Sequence, residues 1–194
     1  SHNKINLLNV WNDDVAIQFG EATKIGGKYG AASLEEAVNH LKEKKIDILI
    51  TAPINKETIQ SETFNFPGHT EFLQEKLEGE SLMILMTDEL KIGLITGHIP
   101  VSKVAETISP DLIKRKVNLM IKSLKQDFGI NKPKVAVLGL NPHNGDKGII
   151  GSEEEEMIIP TLKEIQENGD LVFGPYAADG FFGSKSYKKF DGVL

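Results

Sequence analysis

Four apolar runs along the chain lack alternation between polar and apolar positions: "IDILIT" (46–51), "LMILMT" (82–87), "IGLIT" (92–96) and "KVAVLGL" (134–140). Such runs predict strands covered on both faces, as in a sheet flanked by helices. Between most of them the apolar period becomes helical. In "SLEEAVNHLKEKK", Ser33 is a candidate N-cap with Glu36 in the first turn, and Leu34, Ala37, Val38 and Leu41 share one side. In "SPDLIKRKVNLMIKSLKQDFG", Ser109 predicts the cap and Pro110 the first helical position. Ile113, Val117, Met120, Ile121 and Leu124 form its apolar stripe and Gly129 is the stop. A third helix is expected from "GSEEEEMII", with Ser152 ahead of four glutamates at the positive end of the helix dipole and Pro160 kinking or dividing it. The glutamate run reads as cap and solvated face. The second and third apolar runs are separated by a few residues around Asp88, which predicts a hairpin and therefore a mixed sheet. The fold class is α/β: three layers, α/β/α, with a mostly parallel sheet. With no linker or internal repeat, residues 1–194 read as a single α/β lobe.

Composition narrows the function classes. The 194 residues contain no cysteine, which excludes disulfides, thiolate metal sites and cysteine nucleophiles. A net charge of −6 argues against nucleic acid as partner, because phosphate neutralisation needs clustered Lys and Arg. No apolar run approaches the roughly 18 residues needed to span a bilayer, and "SHNKINLLNV" lacks a basic region followed by a long apolar one, so the chain is expected to be cytoplasmic. Residues 1–2 read as a cloning scar, and His2 is set aside. The apolar end of "KKFDGVL" reads as a chain stopping just inside a strand.

His40 falls on the polar side of the first helix, leaving His69, His98 and His143 at element junctions. His98 follows "IGLITG" and His143 follows "KVAVLGLNP", so both are expected just beyond strand carboxyl ends, where open α/β sheets bind ligands. Two imidazoles on one edge are able to share a divalent cation; the alternative is two loop histidines bonded to backbone. His69 lies in "FPGHTEFLQEKL", where Thr70 is a candidate helix cap; a helix start with an imidazole and a hydroxyl suits phosphate or carboxylate, against the alternative of an ordinary cap. "KIGGKYGAAS" matches no phosphate-loop pattern and reads as a turn. Lys56 of "TAPINK" reads as solvated. Asp179 of "PYAADGFFGS" is either an acid or ligand contact, or a turn-former.

Taken in order, "TAPINKETI", "FPGHTEFL", "LITGHIPV", "ISPDLI", "DFGI" and "LGLNPHNGDKGIIGSEEEEMIIP" closely resemble the 4-hydroxythreonine-4-phosphate dehydrogenase family of pyridoxal phosphate biosynthesis, from about "GKYGAAS" to the end. The resemblance implies a two-lobed fold like that of isocitrate and isopropylmalate dehydrogenases, of which this chain is a central fragment, and a homodimer with its active site between lobes. It implies oxidation of the C3 hydroxyl of 4-phosphooxy-L-threonine, a small phosphorylated hydroxy-amino acid, by NAD or NADP, followed by decarboxylation. The implied divalent metal is zinc, magnesium or cobalt. By motif, His98 of "TGHIP" and His143 of "LNPH" match metal ligands, and His69 and Thr70 of "PGHTE" match the substrate-binding pair. The family's third metal histidine lies in a Y-H-D-Q-G segment expected beyond "FDGVL", and no nucleotide-binding residue is identified within the chain. Gly97 and Gly180 stand where Thr is common in the family. This polypeptide is therefore expected to be inactive alone. Two alternatives remain: a paralogue acting on threonate or erythronate 4-phosphate, and a non-catalytic dimerisation and metal-binding module.

Overall fold

A computed structural model describes residues 4–16 and 18–194, so His2 lies outside the described residues. The chain divides into two compact units, residues 1–81 and 82–194. None of the helices is long and apolar enough to cross a membrane, among the described residues.

In the first unit, α1 (Lys24–Lys42) and α2 (His69–Lys76) are joined by irregular chain. Helix α1 starts ten residues before its expected cap, at Thr23, whose Oγ1 accepts from the Gly26 N–H at 3.1 Å; Ser33 is interior. "KIGGKYGAAS" is thus helix and not turn. Glycines weaken a helix by about 1 kcal/mol each, but a Cβ at Gly27 would collide with the Thr58 carbonyl, so the packing of α1 against residues 58–59 requires glycine there. Leu34, Val38, Ile59, Phe64 and Phe72 form the core of this unit. Phe64 stacks on Phe72 with ring centroids 5.0 Å apart, and Phe66 meets both edge-on.

The run "IDILIT" is not a strand. Ile48 and Ile50 are 77% and 91% exposed, and only Leu49 leans on the core. A strand exists through hydrogen bonds to a neighbour, and among the described residues of this unit there is no strand to supply them.

The second unit holds a mixed sheet of five strands: β1 (Ile84–Met86), β2 (Lys91–Gly93), β3 (Val135–Leu138), β4 (Val172–Tyr176) and β5 (Gly192–Val193), in the order β1-β2-β5-β3-β4. The expected hairpin is present, with β1 antiparallel to β2 and Leu85 opposite Ile92; the other pairings are parallel. The "GVL" run supplies β5, in the middle of the sheet. Strand β4, absent from the sequence reading because Gly174 and Pro175 interrupt it, lies at the sheet edge, where proline is tolerated.

Helices α3 (Val104–Thr107), α4 (Pro110–Gln126), α5 (Ile159–Glu167) and α6 (Ala178–Gly183) complete this unit. Helix α4 follows its pattern closely: Ser109 Oγ accepts from Leu112 N–H at 3.3 Å, and all five apolar-stripe residues are buried. Alternate residues of β3 sort onto two faces. Val135 and Val137 pack with α4 and α5, whereas Ala136 and Leu138 pack with Phe181 of α6 and with Tyr187 and Phe190. That sorting gives helical layers on both sides of the sheet. Lys114 bonds Glu164 at 2.7 Å, tying α4 to α5.

Pro160 divides the third expected helix: a π-helical turn, Glu154–Ile158, precedes α5. The expected solvated face is corrected here, since Glu154 is only 1% exposed. It is withdrawn from water because hydrogen-bond donors from Asn141 meet it inside the unit.

Candidate functional site

Strands β2, β5, β3 and β4 run parallel, so their carboxyl ends share one edge of the sheet. His98 follows β2 and His143 follows β3, on the expected edge. His98 is exposed at the centre of a tight turn closed by the Ile99 N–H donating to the Gly97 carbonyl at 2.9 Å. His143 is also exposed. Its Nδ1 faces Asp179 Oδ2 at 3.7 Å, in the first turn of α6. The stretch "PYAADGFFGS" is therefore strand end and helix, not a plain turn, and it brings a carboxylate to the His143 ring. Sequence spacing left Asp179 undecided because residues 143 and 179 are related only through the β3–β4 pairing.

The loop carrying His143 has an unusual backbone. His143, Asn144, Gly145, Asp146 and Lys147 all have positive φ, between 44° and 74°. Asn144 Nδ2 donates to the Pro175 carbonyl at 2.9 Å, anchoring the loop to the end of β4. Asn141 is held from the other side. Its backbone N–H donates to Glu154 Oε1 at 2.7 Å, and its Nδ2 donates to Glu154 Oε2 at 2.9 Å and Glu153 Oε2 at 2.7 Å. The Glu153 backbone N–H and the Asn141 amide together hold the Glu153 carboxyl below its ordinary value. Sequence reasoning missed Glu154 entirely; "LNPHNG" signals a turn, but nothing local links it to a glutamate thirteen residues on.

Imidazole nitrogens suit zinc and other first-row divalent ions, so the donor chemistry at this edge fits the implied metal. Among the described residues, no group of three or more His, Asp or Glu is gathered to hold an ion.

His69 and Thr70 belong to the first unit. The cap of α2 is Gly68, not Thr70, because Gly68 is extended (φ −178°) and Thr70 already lies in the first turn. No side chain caps this helix start. His69 Nε2 is buried without a hydrogen-bond partner. The ring lines a cavity of about 330 Å³ together with Ser33, Thr51, Ala52 and Pro53. Exposed Lys56, of the same "TAPINK" turn, lies beside Gly68. His40 pairs with Glu36 at 3.4 Å on the surface of α1, away from these features in role.

Comparisons with known proteins agree with the residue-level resemblance. The family model described as pyridoxal phosphate biosynthetic protein PdxA matches residues 1–194. A 4-hydroxythreonine-4-phosphate dehydrogenase of Bacteroides thetaiotaomicron is 49% identical over 195 residues, covering 100% of this chain and 54% of the relative. Among solved structures, the enzyme of that name from Burkholderia phymatum superposes with a TM-score of 0.77 at 34% identity, over 95% of this chain and 56% of its own. The one from Klebsiella pneumoniae gives 0.80 at 29%, over 91% and 54%. The chain spans about half the length of the relatives it matches. On the full-length family match, joined to a fold shared with these dehydrogenases, the chain belongs to the PdxA family of pyridoxal phosphate biosynthetic proteins.

Proposed function

We propose that this chain contributes to a metal-dependent NAD- or NADP-linked dehydrogenase acting on 4-phosphooxy-L-threonine, with decarboxylation following oxidation. The observation that carries the reading is the shared carboxyl edge of β2 and β3, where His98 and His143 both stand in a family whose relatives bear that enzyme name. His98 and His143 would hold the divalent ion, which when bound supplies Lewis-acid polarisation of the substrate hydroxyl. Asp179 faces His143 Nδ1, and a carboxylate at that nitrogen favours the tautomer whose Nε2 carries the donor lone pair. Two ligands bind more weakly than the three typical of catalytic sites, so this chain alone is assigned no turnover.

His69 and Thr70 are the proposed substrate-binding pair. The uncapped N–H groups at the start of α2 suit an anionic group. The buried Nε2 of His69, lacking a protein partner, is available to a ligand in its cavity. A nicotinamide cofactor, when bound, would supply the hydride-transfer chemistry, and homodimerisation is part of the same proposal. The test is NAD(P) reduction with 4-phosphooxy-L-threonine and a divalent metal, measured on the chain extended to its relatives' length. Turnover lost in His98→Ala and His143→Ala supports the reading; turnover with threonate or erythronate 4-phosphate alone would replace it by the paralogue. A dimer that binds metal and oxidises none of these substrates would leave the non-catalytic module.

A further inference from the structure

Six consecutive residues, 143–148, have positive φ, and four of them are not glycine. L-residues enter that region at a cost of roughly 1 kcal/mol or more each, usually singly. Asn, Asp and His tolerate it best, yet a run of this length persists only where surrounding contacts over-determine it. Asn144 is tied to the Pro175 carbonyl on one side. On the other side lies Glu154, a carboxyl group removed almost wholly from water.

Burying an ionisable side chain is costly unless its polar atoms are engaged. Both oxygens of Glu154 are engaged, and by one loop residue: Oε1 by the backbone N–H of Asn141, Oε2 by its side-chain amide. The loop then folds around the carboxyl group. A Cβ at Gly145 would stand 2.9 Å from Glu154 Oε2 and collide with the Gly151 carbonyl, and φ at Gly145 is +74°; both facts demand glycine at the centre of the left-handed run. Glu154 itself sits on the π-helical turn, whose Ile158 is buried in the core of the unit. The carboxyl group therefore has a rigid support beneath it and a strained loop above it.

We propose that Glu154 is a positioning residue: through Asn141 it holds the left-handed loop 143–147 in shape and so fixes the His143 ring at the sheet edge. Its part is to position, because both its oxygens are engaged by Asn141 and the group is almost wholly withdrawn from solvent. The inference rests on the reading of His143 as a metal ligand, and the test separates the two.

Zinc affinity is measured by calorimetry on four proteins: the unaltered chain, Glu154→Gln, His143→Ala and the double variant. Gln keeps the shape but turns one acceptor oxygen into a donor facing the Asn141 amide. Loss of a partner behind a metal ligand typically costs 10- to 100-fold in affinity. Glu154→Gln is expected to weaken zinc binding about tenfold or more, with that effect vanishing in the His143→Ala background. An affinity within about twofold of the unaltered chain, or a weakening that persists undiminished without His143, would overturn the proposal, since a general structural defect does not depend on one ring.

Should His143→Ala alone leave zinc binding unchanged, the metal reading fails and the loop decides the present inference. Faster hydrogen exchange at the Asn141 amide, with loss of left-handed chemical shifts at residues 143–147 in Glu154→Gln, then sustains it; unchanged exchange and shifts overturn it. If Glu154→Gln does not fold, Asn141→Ala breaks the same contact from the loop side, and the same pattern is expected.

Discussion

The segments "DILIT" of the first unit and "VAVLG" of the second are nearly interchangeable as patterns, yet they end in opposite states. Val135, Ala136 and Val137 are at most 1% exposed between β4 and β5, with helices over both faces. Ile48 and Ile50 are exposed, and among the described residues of their own unit there is no strand to pair with. An apolar run specifies willingness to be buried. Its conversion to a strand depends on edges that other parts of the chain must bring.

Side-chain truncation should separate the two segments by the widest margin. Leu124→Ala, in the core over β3, is expected to cost about 3 kcal/mol. Ile50→Ala is expected to stay within about 0.5 kcal/mol. Urea unfolding of both variants checks the pair, and similar losses would mean that the 46–51 run is buried after all.

Two glycines of α1 should respond in opposite ways to the same substitution. Gly27→Ala drives a methyl into the Thr58 carbonyl and should cost roughly 2 kcal/mol. Gly30→Ala meets nothing within 4 Å on the same helix and should stabilise by about 0.5 to 1 kcal/mol. Thermal melts in opposite directions are the expected outcome.

Smaller effects follow at the helix caps. Ser109→Ala and Thr23→Ala each remove an oxygen that accepts a first-turn N–H, at about 1 kcal/mol apiece. Denaturant midpoints measured for each variant should fall by similar amounts, although only the first cap was visible in the sequence.

Helix α4 was legible because its signals are local: Ser-Pro at the start, a stripe at helical spacing and a glycine beyond the end all agree. The hairpin was legible because its two runs are adjacent. Helix α1 was misread at its start because three glycines lower local helix propensity, while the reason for Gly27 lies in a carbonyl thirty-one residues away. Glu154 was hidden for a similar reason. Four glutamates in a row look alike to any local rule, and the one that is buried is selected by Asn141, which the fold places beside it. The candidate site shows the same division. Positions of His98 and His143 at strand ends were readable from the pattern, whereas the Asp179 carboxylate beside His143 and the orphaned Nε2 of His69 required the folded chain.

The smallest expected effect is a pH dependence at Glu153. Its carboxyl is held below the ordinary value of 4.5, so its contribution is present above that value and is lost as pH falls through the lowered one. Urea midpoints of the unaltered chain and Glu153→Gln, compared between about pH 3 and about pH 6, should converge at the acid end. A constant gap would assign the difference to shape and not to charge.

The proposed metal site rests on the two imidazoles that follow β2 and β3, His98 and His143. Calorimetric titration of the chain with zinc, beside the His98→Ala, His143→Ala double variant, tests it most directly. Zinc should bind the unaltered chain, and that binding should disappear in the double variant. Equal binding by both proteins, or none by either, would contradict it.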